Sequence, residues 1–249
     1  MIPDLLVGTQ DSCVDGLVRD FRAEYGRATA ERRPFSVAIP GGSAATRVLP
    51  ALTALDLDWS RIEVFWVDER AVPRDDRESN YALAEALWLK PAGVPAACVH
   101  RMPADEPDLH DAAVAYGDEL ARVIGAYGRL DFVLLGVGPD GHVASLFPGH
   151  AALRESERAV VAVEDAPKLP MRRLTLTLPV LVSAARLVVA AFGDSKAQVL
   201  GEALTDEASP LPVALVLRRS ARSLLVADHA AASRIQGRPH VRASTEAGS

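Results

Sequence analysis

His142 stands two residues after Asp140 in the turn Gly138-Pro139-Asp140-Gly141-His142, directly behind the apolar run Asp131–Val137. Imidazole is the side chain best matched to proton transfer near neutral pH. A neighbouring carboxylate fixes its tautomer and stabilises its charged form. Gly136, Gly138 and Gly141 also spell G-x-G-x-x-G. As a dinucleotide fingerprint this is weak: Pro139 and Asp140 fill the turn, and Phe147-Pro148-Gly149 leaves little room for a long helix. The better reading is a glycine-rich turn that presents Asp140 and His142 above a sheet. His150 suggests a metal pair with His142, but no third ligand is spaced to join them, so no metal site is expected.

Three further segments are suited to an anion. Pro40-Gly41-Gly42-Ser43-Ala44 joins an apolar run to a helical pattern. Its glycines expose backbone N–H groups, and a helix start adds unpaired donors and positive potential. No Gly-Lys-Ser/Thr follows, so it is not a Walker loop. Two readings stay open: a phosphate site, or an ordinary turn capped by Ser43. Asp68-Glu69-Arg70 leaves the apolar run IEVFWV. Charges at a buried strand's exit need partners or a ligand. Arg70 is suited to a phosphate or carboxylate and Asp68 to sugar hydroxyls, whereas Arg74, Asp75, Asp76, Arg77 and Glu78 read as solvated. Arg172 and Arg173 open RLTLTL, and Lys196, one of only three lysines, opens a helix after Gly193-Asp194-Ser195. A cation at a helix start is unfavourable unless an anion joins it.

The elements that must position these residues alternate. Asp11–Arg32, Ala44–Leu55, Asn80–Leu89, Leu109–Tyr127, Pro179–Ala184, Lys196–Leu204 and His229–Ile235 read as helices. Phe35–Ile39, Ile62–Val67, Asp131–Val137, Ala159–Val163, Arg173–Leu178, Leu187–Phe192 and Ser223–Ala227 read as strands, with Cys98–Met102 as a short one. This alternation predicts an α/β fold with a mainly parallel sheet flanked by helices, its ligands at the carboxyl ends of the strands. With 249 residues, 49% hydrophobic and 24% charged, the chain has ample material for a core. We expect one domain over 1–235 and a flexible polar tail over 236–249. The net charge of −6 argues against a general basic surface for nucleic acid. Cys13 and Cys98 make neither a disulfide framework nor a zinc site and read as buried thiols in a reducing compartment. Without a secretory pattern or a membrane-length apolar stretch, the expected location is cytoplasmic.

Taken in order, PGGSA (Pro40–Ala44), VDERAVPRDDRESNY (Val67–Tyr81), VHRMPA (Val99–Ala104), LLGVGPDGHVASLFPG (Leu134–Gly149), RRLTLTLPVL (Arg172–Leu181) and GDSKA (Gly193–Ala197) resemble the 6-phosphogluconolactonase family, within the glucosamine-6-phosphate isomerase/deaminase superfamily. The resemblance spans most of the chain, and its specific segments are DGHVASLFPG and DER-to-SNY. It implies a modified Rossmann-like fold, no cofactor, and hydrolysis of 6-phospho-D-glucono-1,5-lactone to 6-phospho-D-gluconate, the second step of the oxidative pentose phosphate pathway. His142 is then the general base and Asp140 its orienting partner. Gly41, Gly42, Ser43, Arg70, Arg173 and Lys196 hold the phosphate, Asp68 holds a sugar hydroxyl, and backbone N–H groups over Gly138–Gly141 face the oxyanion. A monomer is expected. The family's phosphate turn usually reads Ser-Gly-Gly-Ser-Thr, so Pro40 and Ala44 depart from it and a hydroxyl is lost. Two rivals stand beside this reading. A deaminase of the superfamily typically continues Phe-Asn-Glu-Pro after the shared Asp-Gly-His, where this chain has Ser145-Leu146-Phe147-Pro148 without a carboxylate. A non-catalytic sugar-phosphate sensor would keep the cations and could dispense with the base.

Overall fold

The computed structural model describes residues 2–125 and 128–235. The expected tail 236–249 and the last two residues of the Leu109–Tyr127 helix lie outside them. Among the described residues nine strands form two sheets. The larger is parallel throughout and joins β1 (Asp4–Gly8), β2 (Phe35–Ile39), β3 (Ile62–Trp66), β5 (Phe132–Gly136), β8 (Arg186–Ala191) and β9 (Ser223–Asp228) in the order β1-β9-β8-β5-β2-β3. The smaller is antiparallel, in the order β4-β7-β6, from β4 (Asp68–Arg70), β6 (Val160–Val163) and β7 (Arg173–Leu176).

The central strands are apolar without alternation because both faces of the parallel sheet are covered. All residues of β2 and β8 are buried. Helix α1 (Gln10–Ala30) turns Cys13, Leu17, Phe21, Tyr25 and Ala28 inwards, and Thr9 caps it by accepting from Ser12 N. Phe21 meets Phe35 and Phe132 edge-on at 5.2 and 5.4 Å, which fastens the helix across β2 and β5. The other helices are α2 (Gly42–Leu52), α3 (Asn80–Ala84), α4 (Lys90–Ala92), α5 (Leu109–Ile124), α6 (Leu178–Ser183), α7 (Ala197–Thr205) and α8 (Pro212–Arg219). No described helix is long and apolar enough to cross a membrane.

Several sequence expectations are corrected. Helix α2 starts at Gly42 with Gly41, not Ser43, as its N-cap, and no side chain caps it. Gly42 has φ +62°, so the turn is made by a left-handed glycine and Ser43 already lies inside the first turn. Cys98–Met102 is no strand: after a 3₁₀ turn over Ala96–Cys98 it makes one bridge, Val99 to Val64. His229–Ile235 is a series of turns, held by Ala232 N to Asp228 O and Ile235 N to Ala232 O. The Asn80–Leu89 helix runs further, through a π turn at Glu85–Leu89 into α4, and stops at Gly93 in the left-handed conformation. Strands β1 and β4 and helix α8 were not anticipated.

Two features of the topology make the site. The chain leaves β2 toward β3 and leaves the adjacent β5 toward β8, in opposite directions along the sheet. A crevice opens at such a switch point, above the carboxyl ends of the two strands. Val67 then carries the chain from one sheet to the other. Its N–H donates to Ile39 O at 3.0 Å, and its carbonyl accepts from Leu176 N at 2.8 Å. The small sheet is thereby anchored beside the crevice as a second wall.

Candidate active site

A cleft of about 200 Å³ lies at this switch point. It is lined by the Pro40–Ala44 turn after β2, by Asp68 and Arg70 of β4, by Gly136–Pro139 and His142 after β5, and by Arg173 and Lys196. Apart from Asp140, every predicted site residue borders this one space. Asp140 reaches it through His142.

The imidazole is held from behind. His142 Nδ1 lies 2.5 Å from Asp140 Oδ1. An ionised carboxylate only accepts, so the proton sits on Nδ1 and Nε2 keeps its lone pair. Burial alone would raise Asp140, but the hydrogen bonds from His142 and Lys168 outweigh it and hold it down to about 2. Burial pushes His142 below the ordinary histidine value, and the Asp140 hydrogen bond only partly offsets this. Phe147 packs against the ring at 4.7 Å between centroids. Gly138 leaves the space the pair occupies: a Cβ there would fall 2.0 Å from His142 Nδ1 and 2.5 Å from Asp140 Oδ1.

Two of the turn's own amides are engaged within it. Gly138 N donates to His142 O at 2.9 Å and Gly141 N to Gly138 O at 3.0 Å. Pro139 has no N–H. Of the oxyanion donors expected over Gly138–Gly141, those of Gly138 and Gly141 instead bend the turn. His150 is not beside His142 but on Asp165, at 2.9 Å. Among the described residues no three His, Cys, Asp or Glu side chains gather as a metal site.

Across the cleft, the first N–H groups of α2 carry no side-chain cap and form the positive end of the helix. Gly41 has no room for a side chain, because a Cβ would stand 1.7 Å from Asn80 Oδ1. Asn80 Nδ2 donates to Asp68 O at 2.8 Å and lies 3.3 Å from Asp68 Oδ1. Asp68 Oδ2 accepts from Ser145 Oγ at 2.7 Å. The strand-exit charges thus divide their tasks. Glu69 turns inward and accepts from the backbone N–H groups of Arg70, Asn80 and Tyr81 at 2.7–2.8 Å, which fixes the start of α3. Arg70 donates through Nη1 to Glu78 O at 2.8 Å, while its buried Nε has no protein partner.

Arg173 is 4% exposed and mostly committed to the chain. Its Nε donates to Pro170 O at 2.8 Å, its Nη2 to Lys168 O and Leu169 O at 3.0 and 3.3 Å, and its guanidinium lies over Phe147. Arg172 pairs instead with Glu164 on the surface. Lys196 closes a 3₁₀ turn ahead of α7. Burial lowers its pKa, and the Lys168 ammonium adds to the effect. Glu69, Asn80, Ser145 and Lys168 belong to the site without having been predicted there. For Lys168 the available signal was the scarcity of lysine.

An open parallel α/β sheet, with a carboxylate-held imidazole facing an uncapped helix start and several cations, defines the class as enzymes that act on small phosphorylated molecules. The chain belongs to the family of glucosamine-6-phosphate isomerases/6-phosphogluconolactonases, which it matches over residues 8–226. It is 39% identical over 221 residues to a 6-phosphogluconolactonase of Streptomyces coelicolor, covering 84% of this chain and 85% of that one. To the 6-phosphogluconolactonase of Rattus norvegicus it is 39% identical over 208 residues, with 81% and 80% covered. Among solved structures it is similar to the 6-phosphogluconolactonase of Trypanosoma brucei, with a TM-score of 0.81, 27% identity, and 94% and 99% of the two chains covered.

Proposed function

We infer that this protein hydrolyses 6-phospho-D-glucono-1,5-lactone to 6-phospho-D-gluconate, as a carboxylic ester hydrolase of the oxidative pentose phosphate pathway. Family membership supports the reaction. The observation that carries the site assignment is that His142 and the cation-lined turn border one cleft.

The phosphate rests on the start of α2, at Gly41, Gly42 and Ser43, with Arg70, Arg173 and Lys196 around it. Asp68 accepts a hydrogen bond from a sugar hydroxyl. Held by this remote group, the lactone carbonyl lies near His142, and phosphate binding energy is used to orient the reacting carbon. His142 Nε2 takes a proton from water as its oxygen bonds to the carbonyl carbon. When the tetrahedral adduct collapses, the bond from that carbon to the ring oxygen breaks. The imidazolium returns its proton to that oxygen, leaving a hydroxyl and a carboxylic acid that ionises. Asp140 keeps Nδ1 protonated and balances the imidazolium. Cys13 and Cys98 are free and buried, which fits thiols kept in a reducing compartment such as the cytoplasm.

The test is acid release from freshly generated 6-phosphogluconolactone, measured against buffer because the lactone also opens unaided. His142→Ala should lose about 100- to 10,000-fold in enzymatic kcat. Turnover near the wild-type rate in that variant would remove His142 from the chemistry.

A further inference from the structure

The loop between β6 and β7 brings one more charged group to the base. Lys168 Nζ lies 3.0 Å from Asp140 Oδ1, the same oxygen that meets His142, and 3.4 Å from His142 Nδ1. Lys168 does not border the cleft itself. Its backbone is not free to wander, since Arg173 grips the carbonyls of residues 168, 169 and 170 in succession.

We propose that Lys168 is a positioning residue for the lactonase reaction. It holds the Asp140 carboxylate against His142 and sets the basicity of the imidazole, while Arg173 ties it to the cation wall of the cleft. This rests on the reading of His142 as the general base. Asp140 Oδ1 receives two donors, so the carboxylate can neither rotate nor protonate without losing a charged partner. The ammonium also opposes the imidazolium at close range and favours the neutral, proton-accepting ring. The other charges facing His142 are Asp140 in its own turn and Asp68 from β4, with Arg70, Arg173 and Lys196 on the cleft walls. Lys168 is thus the cation nearest the proton-bearing nitrogen. Its own effect on the ring agrees, as it adds to the lowering by burial.

The experiment titrates the His142 ring by NMR in the free protein, its signals identified by their loss in His142→Ala. The same variants are then assayed on 6-phosphogluconolactone across pH. Lys168→Met should raise the His142 midpoint by about one pH unit. The acid limb of kcat should move to higher pH by the same amount, with KM kept within about twofold. Lys168→Arg should restore both toward wild type. A midpoint that moves by less than about a third of a unit in a folded Lys168→Met protein overturns the proposal. So does a rise in KM at unchanged kcat, which would make Lys168 a substrate contact. Absence of lactonase activity in the wild type would instead defeat the functional reading, and the NMR titration would still decide what Lys168 does to the ring.

Discussion

Gly138→Ala isolates the geometry of the base without removing any functional group. The Gly138 backbone is outside the left-handed region, so a side chain meets no backbone penalty there. What it meets is the His142–Asp140 pair. The new Cβ would lie 2.0 Å from His142 Nδ1, 2.1 Å from His142 Cε1 and 2.5 Å from Asp140 Oδ1. Ordinary contact begins near 3.5 Å, so the ring must retreat by about 1.5 Å and the carboxylate by about 1 Å. Phe147 stands against the ring and limits where it can go. A misplacement of about 1 Å costs on the order of 100-fold, and losing the proton transfer altogether costs up to about 10,000-fold. We expect kcat to fall by about 100- to 1,000-fold while KM stays within about threefold, because the phosphate groups across the cleft are untouched. Steady-state lactone hydrolysis corrected for the buffer rate measures both, and circular dichroism verifies the fold. A folded Gly138→Ala enzyme with kcat within about threefold of wild type would refute the idea that this pair must stay where it is.

Neutralising the cradle should act on the other parameter. Arg70→Met and Lys196→Met should each raise KM by about 10- to 100-fold, the value of a charged hydrogen bond to phosphate, with a smaller loss in kcat. If neither changes KM, both leave the phosphate site. A stability control lies in α1, where Gly26 is exposed and a Cβ would meet nothing within 4 Å. Gly26→Ala should stabilise the fold by about 0.5–1 kcal/mol through helix propensity alone, read as a higher urea midpoint with unchanged activity.

What was legible in the sequence was local. An apolar strand followed by glycine or by clustered charge marks the strand end where ligands collect. From order along the chain, that rule singled out Gly41–Ser43, Asp68, Arg70, Asp140, His142 and Lys196, all of which but Asp140 line one cleft. It failed where the deciding contact spans distance. Lys168 sits in a proline-containing loop without periodicity, and the Arg173 hydrogen bonds to that loop help carry it to Asp140, 28 residues away in sequence. Glu69 has no role in the sequence reading, yet it is buried and serves three backbone amides of its own wall. Strand β4 was hidden because it is built from Asp-Glu-Arg, residues that strands disfavour, with Val67 alone separating it from β3. Helix α8 begins with proline, which the first turn tolerates and which looks like a breaker when no partner surface is in view.

The glycine at 41 has a bearing on redesign. Its missing side chain is the berth of the Asn80 amide, and that amide in turn steadies Asp68. Positions 41, 68 and 80 therefore form one interlocked unit drawn from three segments of the chain. Attempts to broaden the accepted sugars by diversifying any one of them alone will collide with the other two, so libraries should vary the trio jointly.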